Sequence, residues 1–142
     1  DLVVWYLWSC DRSGKPEGAY SHDTALELHD LSTWTGNRLH MTVPKDFRRR
    51  SVPKALRLHQ GDLRHYEIMR VGQVAVTTVA RTFVDLLKSN TVQRHHLLEA
   101  MQEARKRGLI VPSDLSNPVW STEERDGLAQ LAADSQSYKT EA

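Results

Sequence analysis

Seven histidines are the residues of this chain most able to do chemistry, because imidazole is both a metal ligand and an acid–base group near neutral pH. His95 and His96 stand beside Glu99, and His95 and Glu99, four apart, can share one face of a helix. His22-Asp23 and His29-Asp30 are adjacent pairs, and neighbours on a helix point apart. Zinc needs three or four ligands around one point, and no second cluster stands at matching spacing. The histidines therefore read as surface and cap residues, with no metal and no cofactor expected.

Other chemistries fare no better. There is no Gly-x-Ser-x-Gly elbow, and Cys10 lies between an apolar run and a loop, away from any basic cluster that would lower its pKa. Gly-x-x-x-x-Gly-Lys and Gly-x-Gly-x-x-Gly phosphate cradles are absent. A nuclease would group carboxylates around a divalent cation; here they are scattered singly until the tail. The expectation is a protein without catalytic residues.

The electrostatic feature that stands out is the segment 45–57, with Lys45, Arg48, Arg49, Arg50, Lys54 and Arg57 against the single acid Asp46. Such a loop can grip phosphates or an acidic protein surface. Three consecutive guanidiniums cannot all turn inward, since burying an unpaired charge costs several kcal/mol, so at least two are expected in solvent. Four further residues read as structural. Ser21 and Thr78 suit helix N-caps, and Arg81 and Asp85 form an i, i+4 ion pair worth ~0.2–0.5 kcal/mol, expected to pin a helix.

The elements that must position these residues follow from composition and period. With 142 residues, 39% apolar and 26% charged, the chain can build a core. One cysteine excludes a disulfide framework. The longest apolar run, Leu2 to Trp8, is too short for the ~20 residues that cross a bilayer, and a cytoplasmic protein is expected. That run is apolar on every side and is expected to be a buried helix; it follows Asp1 directly, as if an upstream portion preceded it. Ser21 opens a helix ending near Leu31, with Ala25 and Leu28 at helical spacing. Leu39, Met41 and Val43 then alternate with His40 and Thr42 as a half-buried strand ending at Pro44. Further β-like runs cover 56–60 and 73–77, with 66–71 between. A helix with Val79, Phe83, Leu86 and Leu87 on one face follows, then one from Asn90 or Thr91 with Leu97, Met101 and Ala104, stopped at Gly108. Ser121-Thr-Glu-Glu124 fits a capping box, with its helix ending near Ala133. Segregated strands and helices indicate an α+β fold: a small, mostly antiparallel sheet packed against several helices, in a single domain over 1–112 with an acidic extension over 113–142.

Three segments carry a resemblance. Tyr20-Ser-His-Asp-Thr-Ala-Leu-Glu-Leu-His-Asp-Leu, then Leu39-His-Met-Thr-Val-Pro, then Val76-Thr-Thr-Val-Ala-Arg-Thr-Phe-Val-Asp-Leu resemble, in order and spacing, the AbiEi-type antitoxin family of bacterial type IV toxin–antitoxin systems. Leu98-Glu-Ala-Met-Gln-Glu-Ala-Arg-Lys-Arg-Gly-Leu-Ile looks like the family's following helix, and the likeness covers about three-quarters of the chain. Val79 stands where the family usually has proline at a first helical turn, a place where proline only preorganises the backbone.

The resemblance implies a non-enzymatic antitoxin domain opposing a nucleotidyltransferase-type toxin, in many descriptions without a stable complex. It also implies an upstream winged helix that binds operator DNA and autoregulates the operon. The alternatives are a DNA-contacting domain using the 45–57 loop and, at greater distance, a degenerate nuclease. Salt separates the first two, because phosphate binding weakens steeply with ionic strength.

Overall fold

The switch from helical spacing to strict alternation at Leu39, and back at Val79, sets the architecture. In a computed structural model describing residues 2–32, 37–49 and 51–138, the chain divides at that second switch into two units, Asp1–Thr78 and Val79–Ala142. The α+β class expected from the segregated pattern is found: strands lie in the first unit, and the described residues of the second form helices.

The first unit contains α1 (Leu2–Trp8), β1 (Ala19–Tyr20), α2 (His22–Leu28), β2 (Leu39–Val43), β3 (Leu56–Gln60), β4 (Ile68–Val71) and β5 (Val74–Thr77). The sheet order is β3-β2-β1-β5-β4. Its pairings are mixed. β1 runs antiparallel to β2 and parallel to β5, β2 and β3 are parallel over five register pairs, and β4 and β5 form an antiparallel hairpin. Tyr6, Ala19, Tyr20, Ala25, Met41, Val43 and Val76 make its core. Period-2 alternation puts Leu39, Met41 and Val43 on one face of β2, and His40 and Thr42 on the other.

The helix expected over residues 2–8 forms, but it is not buried. Only Tyr6 is fully buried, Leu2 and Val3 pack partly against the core, and Val4 and Leu7 are 52% and 53% exposed. A two-turn helix can press only one side on a core, and an all-apolar run carries no mark of which side that is. α2 ends at Leu28 rather than near Leu31, because Asp30 turns left-handed at φ 60°. Ser21 does occupy the N-cap position, but its side chain caps nothing; the hydroxyl serves neighbours across the sheet.

The second unit comprises α3 (Val79–Ser89), α4 (Arg94–Lys106), α5 (Pro112–Leu115) and α6 (Thr122–Ser137). Pro112 and the acidic residues after it thus lie within this unit. Phe83, Leu86, Leu97, Met101, Leu128 and Leu131 are buried there, α6 packing against α3, α4 and α5. Arg105 Nη1 donates to the Ala132 carbonyl at 3.1 Å and Arg94 pairs with Asp134 at 2.7 Å. Thr78 directly precedes α3, and Arg81 Nε meets Asp85 Oδ1 at 3.0 Å as the spacing requires. α4 starts at Arg94, later than 90–91, because Asn90 adopts φ 53° after α3. The Ser121 capping box is made: Glu124 N–H donates to Ser121 Oγ, and Ser121 N–H to Glu124 Oε1. α6 then continues past Ala133 to Ser137.

Two substitutions test this packing. A Cβ on Gly18 would stand 2.4 Å from Met41 Sδ and 2.9 Å from its Cγ, and Met41 is wholly buried, so Gly18→Ala should cost about 1–3 kcal/mol in denaturant unfolding. Ser121→Ala should cost about 1 kcal/mol, with helicity lost on the same scale by circular dichroism.

Candidate functional site

β2 ends at Val43, before Pro44, and the basic segment leaves the sheet through a short turn in which Phe47 N–H donates to the Pro44 carbonyl at 3.0 Å. Lys45 N–H donates to Asp62 Oδ1 at 3.1 Å. The Phe47 ring tilts onto Trp8 at a centroid distance of 5.7 Å. Arg49 lies with its guanidinium carbon 5.2 Å from the Trp8 ring centre, and its Nη2 donates to the Trp8 carbonyl at 2.9 Å. That carbonyl belongs to the last turn of α1, where C=O groups lack helical partners and cations are favoured. Arg49 is thereby committed to holding α1.

Lys45, Arg48, Lys54 and Arg57 are exposed, and among the described residues none of them forms an ion pair. Arg50 lies outside the described residues. The expectation of solvent-facing cations on this segment therefore holds for the residues described. Beside it, a cleft of about 460 Å³ is lined by Cys10, Asp11, Arg12, Glu17, Asp46, Phe47, Arg48 and Arg49. Its charges are balanced, three arginines against three carboxylates. Asp11 is occupied within its own turn, accepting from Ser13 Oγ, Lys15 N and Ser13 N, and these bonds hold its carboxyl below the usual range. The cleft is thus a poor trap for a simple anion.

A second constellation was not expected from spacing. His40 and Thr42 on β2 face the same way as Arg57 and His59 on β3, His40 in register with Arg57 and Thr42 with His59. His22, at the start of α2, stacks on His59 at 3.6 Å between ring centres and 11° between planes. His40 Nδ1 and His59 Nε2 are hydrogen-bonded at 2.9 Å. Ser21 Oγ accepts from Thr42 Oγ1 at 2.7 Å and bonds His22 Nδ1 at 2.8 Å. Thr24 Oγ1 accepts from His40 N–H at 2.7 Å.

His22 sits at φ 53°, a left-handed conformation costly for a side chain with a Cβ. Asp23, also buried, leaves Oδ1 without a hydrogen-bond partner. Burial, then the charges of His40 and Arg57, push the His59 pKa down to about 4. For His40 burial also wins, aided by Arg57 and Arg38 and opposed by Asp23, and its pKa is lowered.

The reading of the histidines as surface and cap residues is corrected at two positions. His22 and His29 are buried, and His29 Nε2 bonds the Thr77 carbonyl at 2.7 Å, joining α2 to β5. His95 and His96 stay together on α4, their rings 4.0 Å apart. Among the described residues no three His, Cys, Asp or Glu side chains are gathered to hold a metal ion. In the His40–His59 pair one lone pair is already spent on an N–H donor. The signal for this cluster was the polar face of two alternating strands, His40-x-Thr42 and Arg57-x-His59. It becomes legible only once the two strands are known to be neighbours.

No protein-family model matches the chain, and no curated protein matches it.

The histidine face generates a pH prediction. His59 titrates near 6.5 when unfolded and near 4 when folded, so between those values the unfolded chain holds more protons, and stability rises with pH and is lost as the pH falls. The melting temperature should be level above pH 6.5 and decline from there towards pH 4. In His59→Gln the difference between pH 7 and pH 5 should shrink; an unchanged difference would show that this ring does not set it.

Proposed function

We propose that this chain is the antitoxin domain of an AbiEi-type regulator: a non-enzymatic, cytoplasmic protein that opposes a nucleotidyltransferase-type toxin. In this reading its basic segment adds an auxiliary contact to DNA phosphates. The antitoxin part rests on the ordered resemblance of three segments. The phosphate part rests on one observation: Lys45, Arg48 and Lys54 stand exposed and, among the described residues, without ion pairs, on a segment anchored at Arg49 to the end of α1. A contact that is weak alone gains from tethering, since a winged helix already on the operator raises the local concentration of neighbouring cations. No helix among the described residues is long and apolar enough to cross a membrane.

Two measurements test the two parts separately. Co-expression with a nucleotidyltransferase-type toxin should restore growth; persistent toxicity at confirmed expression removes the antitoxin reading. For DNA, duplex binding by anisotropy is followed from low to physiological salt. The triple change Lys45→Gln, Arg48→Gln and Lys54→Gln should make the log–log salt slope shallower by about 0.9 for each phosphate no longer neutralised, with the melting temperature unmoved. An unchanged slope would leave these cations as plain surface.

A further inference from the structure

The second unit holds an apolar groove of about 400 Å³ between the C-terminal half of α3 and the first two turns of α6. Val84 and Leu87 of α3 and Gly127 of α6 line it, and Lys88, Glu123 and Glu124 stand around them. Glu124 is fully engaged: Oε1 accepts from Ser121 N–H, and Oε2 pairs with the Lys88 ammonium. That pair neutralises the cation among the lining residues. Glu123 and its neighbour Asp126 remain, both exposed and, among the described residues, without an ion pair. Three and four residues on from Glu123, Asp126 and Gly127 share its side of the helix, whereas Arg125 points about 200° away. The groove is apolar within and acidic at its edge.

Gly127 is the informative residue. Glycine inside a helix destabilises it relative to alanine, and Gly127 lies well within α6. Its backbone is not left-handed. A Cβ there would meet one atom within 4 Å, Leu87 Cδ1 at 3.5 Å, which is ordinary van der Waals contact. Neither backbone nor packing demands a glycine, and what the missing side chain provides is the depth of the groove. The same unit exposes a matching shape. Gly108, at φ 71°, turns the chain out of α4, and Leu109 N–H donates back to the Ala104 carbonyl at 2.8 Å. Ile110 is buried, but Leu109 and Val111 on either side of it are 37% and 43% exposed, the only large apolar side chains so exposed among the described residues of this unit. Lys106 and Arg107 precede them, both exposed, and Lys106 has no ion pair among the described residues.

We propose that this chain self-associates head to tail: Leu109 of one copy enters the α3–α6 groove of another, with Lys106 set against Glu123 and Asp126. Apolar burial supplies the attraction, and the opposite charges fix the orientation and the partner. The two halves of the contact are different surfaces, so the interface is heterologous, and a copy whose groove is filled still offers its own Leu109. A patch this small falls below the ~1,200–2,000 Å² of a standard stable interface, so the association is weak and shows at high protein concentration. The inference is independent of the antitoxin reading, whose DNA test uses Lys45, Arg48 and Lys54 and leaves these residues intact.

Sedimentation velocity of the full chain from about 10 μM to about 1 mM, the range of a weak contact, tests this. The weight-average mass should rise with concentration, and more steeply at low salt. Gly127→Leu fills the groove with the chain's own side chain. Its melting temperature should hold or rise, since leucine is the better helix former, while the concentration dependence disappears. Leu109→Ser removes the other half of the contact and should also leave a monomer. Mixed together, these two monomeric variants should form a one-to-one pair and stop there, because the first keeps Leu109 and the second keeps the groove. Lys106→Glu should weaken association about fivefold, and adding Glu123→Lys to the same chain should restore it. A chain monomeric throughout would overturn the proposal, as would a folded Gly127→Leu that still associates, or a mixture that yields no pair. Should Gly127→Leu unfold, the charge swap carries the test: a double variant no tighter than Lys106→Glu alone would also overturn it.

Discussion

β1 is two residues long, yet it stands at the centre of the sheet, with β2 on one side and β5 on the other. So short a strand has few ladder bonds to hold it, and side-chain packing holds it instead. Tyr20 is completely buried, and its hydroxyl donates to the Leu2 carbonyl at 2.5 Å, fastening α1 to the sheet. Burial pushes that hydroxyl's pKa up to about 12, so it remains a donor through neutral and mildly alkaline pH. One residue earlier than β1, Gly18 leaves room for Met41, and its N–H donates to Ser9 Oγ, which itself donates to the Tyr6 carbonyl. If β1 were lost, the parallel pair β2–β3 and the hairpin β4–β5 would have no strand between them.

From this centre the chain passes directly into the histidine face. Ser21 follows Tyr20, and its hydroxyl is drawn across to Thr42 and His22 instead of closing the first turn of α2. The helix therefore starts without a side-chain cap and with His22 left-handed, at a backbone cost of about 1–3 kcal/mol. Strain of this kind persists only where the surroundings over-determine it. Here the stacked His59 ring, the Ser21–Thr42 bond and the Thr24–His40 bond supply that determination. At the other end of α2, His29 on Thr77 closes the element onto β5.

The charges divide into two kinds of surface. On the 45–57 segment the cations are exposed and spread out, so their field is screened over about 8–10 Å at ordinary ionic strength. They suit an extended polyanion met at many points. On the β2–β3 face the half-buried rings of His40 and His59 are bonded to each other beside the exposed Arg57, and burial strengthens their interaction and ties it to pH. A formal net charge of +1 conceals both, since the acids that balance the total are scattered or lie in the last thirty residues.

Local period and punctuation determined much of the fold from the sequence alone. The alternation of Leu39 to Val43 before Pro44, the Val79–Phe83–Leu86 stripe and the Ser121–Glu124 box each depend on residues a few positions apart, and each appears where the spacing put it. The exposed cations of the basic segment were legible for the same reason: guanidiniums in a row cannot all be buried. Tertiary structure decided what depends on partners distant in the chain. It chose Tyr6 as the buried side of α1, because an all-apolar helix has no side of its own. It took Ser21 from its cap to Thr42, committed Arg49 to Trp8, and brought His22, His40 and His59 from three elements into one cluster. Sequence spacing records which way a residue faces within its own element; which faces meet follows from strand order, and strand order is set by the packing around Tyr20.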